Sequence, residues 1–298
     1  MSKLCLMSEA VATIKSGSHI SLPGFAITRC AMAFAHEVIR QQLKDLTVSQ
    51  CVGAMDADIL VGAGAVKKII YGGGSLDRFG RLANVNRGIE NGTLIADEYS
   101  SLSVAFRYLA GALGLPFIPI RSLQGSDLLN QMVERDNEDV SRIDDPFTGK
   151  DWLALRPLNP DVAVMHVQAA DEEGNAWIMG PKWDNSEQVK ASERTILIAE
   201  HIVSTEIIRR QPENTVIPGL FVSHVVEQPF GAHPTSVYRE YDYDADHIKK
   251  YVAASETPET FKKYLDEYVF SCKDHWEFLN KIGAEKMSSL RADELLGY

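Results

Sequence analysis

Four short segments combine residue types that could handle an anion or an activated acyl group. Residues 16–34, SGSHISLPGFAITRCAMAF, read as a strand, a Pro-Gly-Phe turn and the start of a helix. Backbone N–H groups at such a turn and helix start lack intrahelical acceptors, so they can stabilise an anion or an oxyanion. A glycine corner packed only for shape would carry the same residues. Residues 71–77, YGGGSLD, place three glycines at a strand end, where a ligand could approach the backbone and Ser75 would offer a hydroxyl. The alternative is a tight turn with Ser75 as its cap. No GxSxG elbow surrounds Ser75, which argues against a serine-hydrolase nucleophile. In LPFIPIRSLQGSD (residues 115–127) and PFGAHPTSVY (residues 229–238) an apolar run ends in polar, turn-forming residues: Gln124, Gly125 and Ser126 in one, Gly231, His233 and Ser236 in the other. Strand ends that line a crevice have this make-up. The eight histidines show no HExxH or other ligand spacing, so no metal site is expected, and His233 fits a satisfied loop histidine better than a catalyst.

These segments need a frame, and the first half of the chain supplies one. Short apolar runs at residues 19–22, 46–52, 68–71, 93–96 and 117–120 alternate with helical patterns, the mark of βαβ units and a largely parallel sheet. Met32, Ala35, Ile39 and Leu43 recur at helical spacing and leave Glu37 and Arg40 off the apolar face. Residues 61–66, VGAGAV, lack the third glycine of GxGxxG and precede a strand, so they are no dinucleotide loop. Residues 133–150 carry turn residues without apolar periodicity and read as a long surface excursion outside the sheet. Further strands are expected at 162–167, 176–179, 195–199 and 221–226, with DEEGNA turning the chain between the first two. From about residue 245 the pattern is helical, in roughly three segments. The expectation is one α/β body over residues 1–298, an open and largely parallel sheet with a helical C-terminal extension.

Bulk properties exclude several partners. With 298 residues and 45% hydrophobic composition the chain can bury a large core. Its net charge of −11 and pI near 5.2 argue against nucleic acid and anionic membranes, which need a concentrated basic surface. Arg107, Gly111, Gly114, Pro116 and Pro119 interrupt the apolar stretch at residues 102–120, so it is no membrane span. The opening MSKLCLMSEA reaches Glu9 before a signal-peptide core develops, and the four cysteines form no CxxC pair, so a reducing cytoplasm is expected.

Taken together, the segments resemble the A (alpha) subunits of the family I CoA-transferases, most closely the glutaconate CoA-transferase branch. The resemblance rests on SGSHISLPGFAITRCAMAF with Arg29, LPFIPIRSLQGSDL, DDPF, VAVMHVQAADEEGNAWIMG, PFGAHPTSVYREYDYD and KDHWEFLNKIGA, and spans the chain nearly end to end. It implies a sheet related to that of ribose-5-phosphate isomerase, coenzyme A as a substrate with no permanently bound cofactor, and an A2B2 assembly. In the family a glutamate of the B chain attacks the acyl-CoA and passes through an acyl-glutamyl anhydride and a glutamyl-CoA thioester. Most CoA contacts then fall on the B chain, which suits the acidity of this one. Gly24 and Phe25 become candidate backbone donors to the thioester oxygen. Arg29, Ser75, Gln124, Ser126 and His233 become candidates to bind a small, dicarboxylic acyl group. YGGGSLD looks more like the alpha subunits of two relatives, a steroid ring-opening hydrolase and a decarboxylase of branched glutaconyl-CoA, so hydrolysis or lysis of a CoA thioester is the alternative. Under it Glu98, in ADEYS, sits where the hydrolase has a glutamate; a surface residue of that turn is the plainer reading. A non-catalytic ligand sensor would need a helix-turn-helix with a basic helix, which neither terminus offers.

Overall fold

The computed structural model describes residues 2–293 and 296; the outermost ends of the 1–298 body expected above lie outside the described residues. The first half runs α1 (Met7–Ala12), β1 (His19–Ser21), α2 (Met32–Arg40), β2 (Leu46–Gln50), α3 (Met55–Gly62), β3 (Val66–Tyr71), α4 (Ala83–Glu90) and β4 (Ile95–Glu98). After α5 (Ser101–Ala112) come β5 (Ile118–Ile120), α6 (Asp127–Glu134), β6 (Val140–Asp144) and β7 (Asp151–Leu155). The chain continues with β8 (Val162–Ala170), β9 (Ala176–Trp177), α7 (Asn185–Ala191), β10 (Arg194–Ile202), α8 (Thr205–Arg210), β11 (Thr215–Ile217) and β12 (Val222–Glu227). It closes on α9 (Ala245–Ala254), α10 (Pro258–Leu265), a π-helical turn (Asp266–Phe270), α11 (His275–Ile282) and α12 (Ala284–Leu290).

Seven parallel strands form the main sheet in the order β12-β10-β8-β1-β2-β3-β4, and β9 with β11 adds an antiparallel ribbon along the end of β8. Both faces are covered, and the side-chain alternation of the strands records this. Ile69, Val164, Ile196 and Ile198 face the core under α1–α3 and the C-terminal helices. Ile70 faces the core under α5, and Met165, Val167, Leu197 and Ala199 pack with Val189 of α7. No helix among the described residues is long and apolar enough to cross a membrane.

Three expectations need correction. β5 belongs to a second, antiparallel sheet, β5-β7-β6, because Ile120, Leu153 and Leu155 bury into the α5 core. The excursion at 133–150 therefore contains the strand β6, whose outward residues are polar and hide the period. Glu37 is not held off the core face of α2. The C-terminal helices cover that side as well, so Glu37 is buried and accepts from Arg40 Nε at 2.9 Å and Gln41 Nε2 at 2.7 Å.

Candidate active site at the end of the first strand

β1 is flanked by β2 and β8, both parallel to it; the next parallel strand after β1 is β2 on one side, and after β8, past its short hairpin with β9, it is β10 on the other. Neighbouring strands whose exits diverge open a crevice at their carboxyl ends, where ligands of α/β sheets bind. β1 stops after pairing Ser21 with Ala163, while β8 runs on to Ala170. The loop of residues 22–31 lies along that open flank.

A buried polar knot fixes the loop. Asp56 accepts from Ala31 N at 2.9 Å, from Gln50 Nε2 at 3.0 Å and from Ala57 N at 2.9 Å. Gln50 Nε2 also donates to Gly24 O at 3.1 Å, and its Oε1 accepts from Ala54 N at 3.0 Å. Burial raises the Asp56 carboxyl above its usual range, with the three donors opposing. A Cβ on Gly24 would stand 2.9 Å from Cys30 Sγ and 3.0 Å from both Asp56 Oδ2 and Gln50 Nε2, so any side chain here must displace the knot. On its other side the loop meets residues 231–236: Ala33 N donates to Gly231 O, Arg29 N to Ser236 O and Cys30 N to Thr235 Oγ1.

Gly24 is buried, and its N–H has no acceptor among the described residues. Phe25 does not share that property. Its N–H donates to Thr28 O at 3.0 Å and its carbonyl accepts from Thr28 N at 2.9 Å, closing a two-residue turn with Ala26 at φ 55°. As an oxyanion donor Phe25 is therefore excluded, and what it presents is its ring, stacked on Trp183 at 4.8 Å and 12°. Arg29 is also not open to a substrate carboxylate. It is 1% exposed, and its guanidinium donates to His166 O (3.4 Å), Pro181 O (2.9 Å) and Asn185 Oδ1 (2.7 Å), with its carbon 4.9 Å from the Trp183 ring. Burial pulls it down to about 10, so it stays protonated at neutral pH.

The remaining candidates scatter. Ser75 follows β3, two strands from β1 and so about 10 Å across the sheet; its Oγ accepts from Asp77 N at 3.2 Å and its hydroxyl proton is unused. Gly72 and Gly74 before it serve packing, since a Cβ on Gly72 would stand 2.4 Å from Ser101 Cα and one on Gly74 2.7 Å from Gly53 O, while Gly73 holds the turn at φ 80°. Gln124 donates to Asp151 O at 2.7 Å, and Ser126 caps α6, accepting from Leu129 N at 3.3 Å and donating to Leu123 O at 2.7 Å. Both belong to the small sheet and are not drawn into the crevice. Nor is His233, which is fully buried against the C-terminal helices with Nε2 3.2 Å from Asp244 Oδ2. Burial keeps its imidazole below the usual range. Glu98 is exposed at the end of the edge strand, in a cleft of about 500 Å³ with Lys68, Asp97, Arg135 and Arg156.

Trp183 packs on the turn through Phe25 and Asp184 follows it in sequence, and no sequence pattern marks either. Trp183 has φ 44°, and the segment carrying it is held by Gln168, whose amide pairs with Met179 N and O. Asp184 is buried with Oδ2 unpartnered, and desolvation pushes its carboxyl up to about 6. The WD pair follows a Pro-Lys turn without any spacing that marks chemistry.

An open α/β sheet with a glycine turn at its switch point defines a class of ligand-handling scaffolds, and comparison with known proteins narrows it. The family model described as "Coenzyme A transferase" matches residues 6–228, and the chain belongs to that family. It is 36% identical over 316 residues to the A chain of glutaconate CoA-transferase from Acidaminococcus fermentans, covering 100% of this chain and 97% of that one. The crystal structure of the Acidaminococcus fermentans enzyme superposes with a TM-score of 0.95 at 35% identity, over 100% and 98% of the two chains. The corresponding chain of 3-oxoadipate CoA-transferase from Pseudomonas knackmussii is 33% identical over 290 residues, 96% of this chain and 100% of that one. A variant of the decarboxylase AibA/AibB superposes with a TM-score of 0.78 at 29% identity, over 89% and 100%.

Proposed function

We propose that this chain is the alpha component of a two-subunit enzyme that moves CoA from an acyl-CoA donor to a small dicarboxylic, glutaconate-like acid. The partner B chain supplies the glutamate that attacks the thioester. That carboxylate bonds to the carbonyl carbon and the CoA thiolate leaves, giving an acyl-glutamyl anhydride; the thiolate then attacks the glutamyl carbonyl and expels the donor's carboxylate, leaving a glutamyl-CoA thioester that the acceptor carboxylate opens by the same two steps in reverse. This chain contributes Gly24 N–H, which stabilises the negative charge that develops on the thioester oxygen. The observation that carries the reading is that N–H, left without an acceptor in a turn fixed at the switch-point crevice. The glutaconate and 3-oxoadipate relatives are each named as one subunit of a transferase, which supports a B partner; A2B2 and a cytoplasmic setting belong to the same proposal.

The described residues also favour a nucleophile from elsewhere. Their shortest Ser–His contact, His19 Nε2 to Ser49 Oγ at 2.7 Å, sits inside the sheet with Ser49 fully buried under Tyr108. Burial holds His19 down to about 4. Hydrolysis with Glu98 as base draws no support from its exposed edge position.

The test is CoA transfer by each chain alone and by the purified complex. Transfer only by the complex is expected. Transfer by this chain alone would overturn the proposal, and thioester hydrolysis or CO₂ release by the complex in place of transfer would reassign the chemistry.

A further inference from the structure

We propose that Trp183 is a specificity-determining residue: by backing the Phe25 ring it makes a rigid flat wall beside Gly24 that selects planar, conjugated acyl groups over saturated ones of equal length and charge. This inference rests on the acyl-transfer reading above.

Phe25 directly follows the free Gly24 N–H, and both of its backbone groups are consumed by Thr28, so only its ring can meet an acyl group. The ring is half-buried, and one face lies on the half-buried Trp183 indole. A single Phe at a loop tip would move; two stacked rings on separately anchored segments move far less. The anchoring is heavy. Arg29 grips Pro181 O and Asn185 Oδ1, on either side of Trp183 in sequence, and places its guanidinium over the indole. Its bonds go to two carbonyls and an amide oxygen, none to a carboxylate, so a buried charge is committed to holding this segment. Arg29 and Trp183 both hold positive φ, 50° and 44°, which bulky residues keep only where their surroundings over-determine them.

A fixed aromatic face discriminates by shape. An acyl group with a double bond conjugated to the thioester is flat and already rigid, and it stacks on a ring without freezing rotors. A saturated chain must give up rotamer freedom to make a poorer contact.

The experiment uses the complex with its B chain and compares kcat/KM for glutaconyl-CoA and glutaryl-CoA, two five-carbon dicarboxylic thioesters that differ by one double bond. The parent is expected to favour glutaconyl-CoA by about tenfold. Trp183→Ala should bring the ratio within about twofold of unity, while Trp183→Phe, which keeps a ring under Phe25, should restore it. Phe25→Leu keeps apolar volume and should also flatten the ratio. General damage to folding lowers both rates and leaves the ratio alone. An unchanged ratio in Trp183→Ala, a parental ratio near one, or no rescue by Trp183→Phe would each overturn this inference. A parent complex that transfers CoA from neither thioester would instead overturn the acyl-transfer reading.

Discussion

In the loop after β5, Gln124 donates to Asp151 O and accepts from Arg121 Nε, and Ser126 donates to Leu123 O while it accepts from Leu129 N. In the turn after β1, the knot around Asp56 uses the side-chain groups, Thr28 uses Phe25, and Gly24 N–H is left over. Both stretches follow an apolar run and contain glycine beside polar residues. The first uses its polar capacity to hold itself together, and the second is held by its neighbours and keeps a donor in reserve. Unspent hydrogen-bonding capacity on a fixed backbone, rather than polar composition, separates a site from a turn.

The contrast can be broken at its root. Asp56→Ala removes the acceptor of three buried donors and should destabilise the chain by about 3 kcal/mol with loss of transfer. Asp56→Asn, which keeps one acceptor and drops a buried charge, should lose less. Urea melts and kcat/KM of the complexes decide; a stable, active Asp56→Ala would show that the turn does not need the knot.

A second test bears on His233, which the structure removes from the site. His36, His233, His247 and His275 cluster around Phe278 and are all depressed by burial, His247 and His275 to about 3. Their folded values lie below the unfolded value near 6.5, so the unfolded chain takes up protons first. Their contribution is complete above pH 6.5 and is lost as pH falls toward 3, at up to about 1.4 kcal/mol per histidine per pH unit. The raised carboxyls Asp184, Asp56 and Asp58 have the opposite sign, since acidification relieves their buried charge. His247→Phe should therefore flatten the fall in stability between pH 6.5 and 4.5. If its melts track the parent at every pH, His247 does not remain neutral in the folded state.

Gly24→Ala comes next in size. The added Cβ meets three side chains at 2.9–3.0 Å, so the donor must shift by a few tenths of an ångström or more. The expected fall in kcat is tenfold to a hundredfold, with the complex still assembled. Parental turnover would return Gly24 to the status of an ordinary corner.

How much of this was legible follows from range. The parallel sheet, the PGF turn and the C-terminal helices depend on periods and turn residues close in sequence, and those could be read. The small sheet could not, because β7 pairs β5 across more than thirty residues and β6 has no fully buried residue, only Val140 and Ile143 half-buried. The part Phe25 plays is hidden from the sequence for a related reason: whether its N–H is free depends on where Thr28 O ends up. Trp183 is joined to the turn by folding alone, more than 150 residues from Phe25 and Arg29 in sequence, and no local spacing announces it.

Ser75 lies between the two extremes. Its Oγ accepts from Asp77 N but its proton is unspent, so it can donate to the remote carboxylate of a dicarboxylic acyl group. Ser75→Ala should lower kcat/KM for a dicarboxylic substrate relative to a monocarboxylic one by about tenfold or more, the lower end of the range for a hydrogen bond to a charge. A constant ratio would place Ser75 with the self-satisfied turns.

The smallest effect on activity is expected at Ser126, the other end of the contrast. Its hydroxyl has a donor in the first turn of α6, Leu129 N, and an acceptor in the preceding loop, Leu123 O, with its proton committed to the latter. Removing the cap frees one helix N–H to water, because Ser126 is only half-buried, and the usual loss for a capping serine is about 1 kcal/mol. The loss should be confined to the lobe of α6 and the small sheet, whose core is separate from that beneath the β1 turn. Ser126→Ala should thus lower the melting temperature slightly and leave kcat/KM of the complex within about twofold for mono- and dicarboxylic thioesters alike. Hydrogen exchange localised to α6 would confirm where the loss falls. A selective drop for the dicarboxylic substrate at unchanged stability would move Ser126 into the acyl site and dissolve the distinction between the two loops.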